Sequence, residues 1–90
     1  MTYRVKIHRQ VGKALRSLPK AHYRKFLEFI GILEYEPVPR QKFDIIKLEG
    51  TEDFDIYRVR LGDYRVIYSV SWKDKLIKIL KLKPRGKAYK

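Results

Sequence analysis

Apolar and polar side chains alternate almost from the start of the chain. Tyr3, Val5 and Ile7 stand between Arg4, Lys6 and His8, the period of two that marks a β-strand. The rhythm then lengthens. Val11, Ala14, Leu15 and Leu18 recur at helical spacing, with Lys13, Arg16 and Ser17 on the wet side. Pro19 interrupts, and proline is tolerated in the first turn of a new helix. The periodicity predicts that helix from Lys20 to Glu34, burying Tyr23, Phe26, Leu27, Ile30 and Leu33. The two helices form a hairpin joined by a very short turn.

Glu36-Pro-Val-Pro-Arg40 cannot continue a helix, because Pro37 and Pro39 lack amide donors and restrict the residues before them. Phe43, Ile45, Ile46 and Leu48 follow, a stretch ending at Gly50 that predicts a short strand. Period two then returns strongly. Tyr57, Val59 and Leu61 share one face of a strand, and Ile56, Arg58 and Arg60 share the other. Gly62-Asp63 suits a two-residue hairpin loop with glycine first, as a type II′ turn requires. The returning strand places Tyr64, Val66, Tyr68 and Val70 on one side and Arg65, Ile67, Ser69 and Ser71 on the other. Trp72 to Lys75 makes the next turn. A last strand runs from Leu76 to about Leu82, and Pro84 and Gly86 end regular structure.

This order predicts a single α+β domain over residues 1–90. The N-terminal strand and helical hairpin pack on one face of a mainly antiparallel, twisted sheet. The helical crossover makes the first strand a candidate for parallel pairing with a late one. A chain of 90 residues has room for one thin core.

Composition narrows the partners. There is no cysteine, which excludes disulfides and thiolate metal sites and suits a reducing cytosol. No apolar run approaches the roughly 20 residues that span a bilayer, so no membrane role and a cytoplasmic location are expected. Twenty-two Lys and Arg against ten Asp and Glu leave a net charge of +12. The excess is concentrated near the end, where Lys75, Lys78, Lys81, Lys83, Arg85, Lys87 and Lys90 have no acidic residue among them. Charge of this kind is a footprint for a polyanion, with plain solubility as the alternative.

Arg58, Arg60 and Arg65 are the informative residues. The first two share a strand face, and the hairpin brings Arg65 beside them. A guanidinium offers a planar fork of donors suited to phosphate. If helices cover the other face, this side presents a cationic groove; otherwise the three are solvated positions paired with Asp53, Asp55 or Asp63. Arg65 interrupts an otherwise apolar strand, a costly place for an idle charge. Lys83 to Tyr89 forms a second cluster, with Arg85 and Lys87 as cations and Tyr89 as a ring able to stack on a base, or else a basic frayed end. His8 extends the charged face of the first strand and His22 lies in the first turn of a helix; both read as structural or solvated, not catalytic. No His–carboxylate metal set, Gly-rich phosphate loop or Ser-His-Asp pattern is present, so no metal or cofactor is expected. Glu49 is a possible general base, or a solvated or ion-paired carboxylate. One reaction fits such a site. An RNA 2′-hydroxyl can attack the adjacent phosphate if the backbone is aligned and the pentavalent phosphate neutralised. Arginine and lysine transfer protons weakly at neutral pH, so such a site is slow unless a larger body orients the RNA.

The strand and helical hairpin, followed by Lys47-Leu-Glu-Gly50, Tyr57-Arg-Val-Arg-Leu-Gly-Asp-Tyr-Arg-Val-Ile-Tyr68 and Lys83-Pro-Arg85, resemble the RelE branch of the RelE/ParE toxin superfamily over nearly the whole chain. The resemblance implies a ribosome-dependent endoribonuclease that cleaves messenger RNA in the ribosomal A site, and a cognate RelB-like antitoxin. It makes Arg58 and Arg60 the basic pair before the hairpin and Arg65 the arginine that stabilises the transition-state phosphate. It makes Arg85 the group at the leaving 5′-oxygen and Tyr89 the ring that stacks on RNA and assists the 2′-hydroxyl, so that Arg58, Arg65, Arg85 and Tyr89 are the expected catalytic residues, with Glu49 as a possible base and Lys83 and Lys87 as further RNA contacts. The superfamily also holds DNA-gyrase inhibitors of the same fold, and a non-catalytic RNA- or ribosome-binding domain is the third reading.

Overall fold

The computed structural model describes residues 2–84. β1 (Arg4–Ile7) leads into α1 (Arg9–Leu15) and α2 (Lys20–Leu33), followed by β2 (Asp44–Gly50), β3 (Phe54–Leu61), β4 (Tyr64–Ser71) and β5 (Leu76–Pro84). The strands form one sheet in the order β1-β5-β4-β3-β2. β2, β3, β4 and β5 pair antiparallel, and β1 joins the edge parallel to β5, from Arg4 opposite Leu76 to Ile7 opposite Ile79. The α+β architecture and the parallel first strand agree with the pattern of the sequence. No helix among the described residues is long and apolar enough to cross a membrane.

Local chemistry sets the boundaries. β1 stops at Ile7, because His8 leaves the strand and becomes the N-cap of α1, where its Nδ1 accepts the Gln10 N–H at 3.1 Å. His8 therefore caps a helix instead of extending a strand face. α1 ends at Leu15, which leaves Leu18 in the turn. Pro19 is the N-cap of α2, one place before the helical residues. At the hairpin, Gly62 adopts a φ of +62°, as the first position of the expected turn demands. β5 runs on to Pro84, two residues past the predicted end.

Both helices lie on one face of the sheet, over Val11, Phe26, Phe29, Leu33, Val59, Val66, Tyr68, Val70, Ile77 and Ile79. The buried stripe of α2 is displaced from the predicted one. Phe26, Phe29 and Leu33 are buried and Ile30 is partly so, whereas Tyr23 is 40% and Leu27 50% exposed. Phe29 takes the centre because its ring meets Phe43 and Tyr68 edge-on at 5.1 and 5.5 Å. The proline loop closes this layer: Pro39 is fully buried, and the Tyr68 hydroxyl donates to the Pro37 carbonyl at 2.9 Å.

Two β-bulges complete the frame. Leu48 is the extra residue where β2 meets β3, and Leu80 where β5 meets β4. Their importance lies on the face the helices leave open.

Candidate nucleic-acid interface on the open sheet face

Cross-strand register decides which side chains meet, because directly opposed residues point to the same side. Asp44 faces Arg60, Arg60 faces Arg65, and Arg65 faces Lys83. These four make one row across β2, β3, β4 and β5. The adjacent row reads Ile46, Arg58, Ile67 and Lys81. With strands about 4.8 Å apart, Arg60, Arg65 and Lys83 project from within roughly 10 Å of sheet. Like charges placed opposite one another in a sheet repel. A row of three is a local cost.

The Leu80 bulge creates this arrangement. Ile77 and Ile79 point into the core, so strict alternation would turn Lys81 and Lys83 toward the helices. The extra residue resets the phase, and both lysines join Arg65 on the open face, while Leu82 packs against the core. A groove of about 390 Å³ results, floored by Leu48, Ile56, Ile67 and Leu80 and edged by Arg65, Lys81 and Lys83. An apolar floor between cationic edges suits a nucleotide strand: phosphates meet the edges and sugars or bases lie over the floor.

Asp44 organises the neighbouring arginines. Arg58 Nη2 donates to Asp44 Oδ1 at 3.3 Å, and Arg60 Nη1 lies 3.8 Å from Asp44 Oδ2. The Arg58 side chain is 16% exposed, and its buried Nε has no hydrogen-bond partner among the described residues. The sequence offered Asp53, Asp55 and Asp63 as partners for these cations. None takes that place. Asp55 lies on the core side, where Trp72 Nε1 and the Tyr57 hydroxyl donate to its Oδ2 at 2.9 and 3.2 Å and Lys47 Nζ stands 3.6 Å from its Oδ1. The Trp72 hydrogen bond, with smaller help from Tyr57 and Lys47, holds this carboxyl below the usual carboxylate value against the opposing effect of burial. Asp63, in the hairpin turn, faces His22 Nε2 at 3.8 Å. Asp53 uses its carbonyl to accept the Trp72 N–H.

The Leu48 bulge brings Glu49 opposite Ile56 and so onto the open face. It stands level with Ser69, four residues along the strands from the Arg60–Arg65 row. At about 3.3 Å per residue that is roughly 13 Å. Arg58, Arg60, Arg65 and Lys83 are thus assembled on one surface, and Glu49 lies at its far end. Arg85, Lys87 and Tyr89 lie outside the described residues. Sequence reasoning missed Asp44 and Lys81: the first needs the β2 register, and the second needs the bulge. Among the described residues no group of three or more His, Cys, Asp or Glu side chains is placed to hold a metal ion.

Relatives found by sequence and by shape are RelE proteins. No family model matches the chain. RelE1, a candidate toxin of Methanocaldococcus jannaschii, is 44% identical over 90 residues, covering 100% of this chain and 98% of the relative. The chain belongs to the RelE toxin family. The RelE chain in an archaeal RelE–RelB complex from Pyrococcus horikoshii OT3 superposes with a TM-score of 0.92 at 84% identity, covering 96% of this chain and 98% of that one. The E. coli RelE toxin in its free, doubly substituted form matches with a TM-score of 0.69 at 17% identity, covering 99% and 90%. That distant match shows the fold alone. The RelE fold therefore persists while most of its side chains change.

Proposed function

We propose that this RelE-family toxin is an endoribonuclease that cleaves messenger RNA held in the ribosomal A site. The observation that carries the reading is the Arg60–Arg65–Lys83 row beside Arg58 and Lys81, on the one sheet face free of helices. In the proposed reaction the 2′-oxygen attacks the adjacent phosphorus, the bond to the 5′-oxygen breaks, and a 2′,3′-cyclic phosphate and a 5′-hydroxyl remain. The 2′-hydroxyl loses its proton and the 5′-oxygen gains one. Arg65 neutralises the equatorial oxygens of the pentavalent phosphate, while Arg58, Arg60, Lys83 and Lys87 hold the backbone. Arg85 serves the leaving oxygen and Tyr89 stacks on the RNA, both carried over from the family pattern. The distance from Glu49 to the arginine row leaves proton transfer without a strong base there. This fits a site that depends on the ribosome to align its substrate.

A RelB-like antitoxin is the proposed protein partner, since the Pyrococcus and Methanococcus relatives were crystallised as complexes with RelB. The place of action is the cytoplasm. Brief expression in translating cells, followed by mapping of RNA ends, tests the reading. Cyclic-phosphate ends within ribosome-bound message are expected. Arg65→Ala or Arg85→Ala should lower cleavage by about 10²–10³-fold, the scale of losing one transition-state donor. Full cleavage by both variants would overturn the site assignment, and arrested supercoiling with intact message would replace the reading with gyrase inhibition.

A further inference from the structure

The open sheet face carries a carboxylate among the cations that would meet RNA. Asp44 is the first residue of β2 and stands opposite Arg60, in the row that continues through Arg65 to Lys83. Its side chain is 56% exposed. A phosphate brought to Arg58 or Arg60 meets this negative charge, and like charges across an interface weaken binding. The chain has only ten acidic residues. Asp55 is buried on the core side, Asp63 lies in the hairpin turn and Glu49 stands at the far end of the face. Asp44 alone of these four lies within the arginine row.

What Asp44 holds explains its place. Its two oxygens are divided between two arginines, with Arg58 Nη2 donating to Oδ1 at 3.3 Å and Arg60 Nη1 lying 3.8 Å from Oδ2. Arg58 stands between Ile46 and Ile67 in its row, and its side chain is 16% exposed. The carboxylate fixes the guanidinium at the end of that enclosed stem. Arg60 has Asp44 on one side and Arg65 on the other. Attraction to Asp44 draws its guanidinium toward β2, which relieves its repulsion from Arg65. Long cationic side chains otherwise spread over many rotamers, and ordering them opposes binding through lost entropy. Here the ordering precedes the RNA.

We infer that Asp44 is a positioning residue for RNA cleavage, which sets Arg58 and Arg60 in the orientation that meets the backbone and weakens RNA binding in doing so. The inference rests on the nuclease reading of the sheet groove. Two effects oppose each other at this position. The carboxylate offsets one of the two arginine charges, which lowers attraction for the strand in the ground and transition states alike. Uniform attraction of that kind does not speed the chemical step. Alignment does, and a misplacement of about 1 Å lowers the rate on the order of 100-fold. Asp44 acts through the two arginines, not on the reacting oxygens.

The test uses the full chain as wild type, Asp44→Asn and Asp44→Glu. Glu52→Gln, at an exposed position between β2 and β3, controls for the loss of one negative charge. Asparagine keeps the size of aspartate but turns one acceptor into a donor, so it cannot hold both guanidinium groups. Affinity is read by fluorescence anisotropy on a short single-stranded RNA across a salt series. Cleavage is read in single-turnover reactions on ribosomes programmed with a defined message, with the protein in excess and raised to the limiting rate. Asp44→Asn should bind the RNA about three- to tenfold more tightly, with a salt slope steeper by about 0.7. Its limiting rate should be about 10- to 100-fold lower. Asp44→Glu, which retains both acceptors, should recover wild-type affinity and most of the rate, and Glu52→Gln should match the wild type in both. Opposite changes in affinity and rate separate positioning from a damaged fold, which lowers both. An unchanged limiting rate for Asp44→Asn, or slower cleavage with weaker binding, would overturn the inference and leave the nuclease reading in place. A wild-type protein that binds the RNA yet never cleaves the programmed message would overturn the nuclease reading, and the inference with it.

Discussion

The carboxylate of Asp55 occupies the place where Gly50 would carry a Cβ. An alanine there meets the carboxylate and, behind it, the backbone of Phe54. Gly50→Ala should therefore cost about 1–3 kcal/mol, the usual range for overpacking, read as a lower melting temperature with a shift in Trp72 emission. An unaltered melt would show that the end of β2 yields freely. Asp55 also predicts a pH effect. Its folded value lies below its ordinary 3.8, so its stabilisation is present above that value and is lost as the pH falls through the lower folded value. Asp55→Asn should be less stable than the wild type near neutrality, and the gap should close below about pH 4 in urea unfolding series. A gap that stays constant with pH would mean that the network contributes packing alone. Part of this was legible beforehand. Asp55 shares its strand face with Tyr57 and Val59, not with Arg58, so the alternation of β3 already separates it from the arginines. The partnership with Asp44 was not legible, because it depends on how β2 slides along β3.

At the level of elements, the two bulges decide which side chains share the open sheet face. A single extra residue shifts alternation by one and sends every following side chain to the opposite face. Deletion of Leu80 should therefore turn Lys81 and Lys83 toward the helices and Leu82 toward solvent. Lower stability and much weaker binding of single-stranded RNA are expected, measured by thermal melting and anisotropy. Retained binding would show that these lysines are dispensable. The run from Leu76 onward announced a strand but not a change of phase within it, since a bulge answers to the partner strand. α2 gave a related difference. Its length and type were legible, yet the sheet chose Phe29 over Tyr23 and Leu27 because Phe43 and Tyr68 supply edge-on partners there. Tyr23 is left beside the inter-helix groove.

For the whole molecule, charge is the dominant constraint. The described residues have a radius of gyration of 12.6 Å. Charges that close repel across the entire fold at low salt, where the screening length is about 30 Å at 0.01 M, and much less at 0.15 M, where it is about 8 Å. The melting temperature of the isolated protein should accordingly rise as sodium chloride is raised between those concentrations, in calorimetric or dichroism melts. A flat or falling trend would mean that local ion pairs outweigh the net +12. The same repulsion makes a polyanion or an acidic antitoxin a stabilising ligand, whichever cationic face it covers.

The sequence by itself determined the strand–hairpin–sheet order, the hairpin turn at Gly62, the single sheet face shared by Arg58, Arg60 and Arg65, and the excess of positive charge. Each of these is written in short-range periodicity or in composition, and local sterics and solvation suffice to read them. Only the tertiary structure decided that Asp44 holds Arg58 and Arg60, that Lys81 and Lys83 join Arg65, that Glu49 stands away from that row, and that α2 buries Phe29. All four depend on register between strands or on packing between layers. Residues distant in the chain set those relations, and no local pattern encodes them.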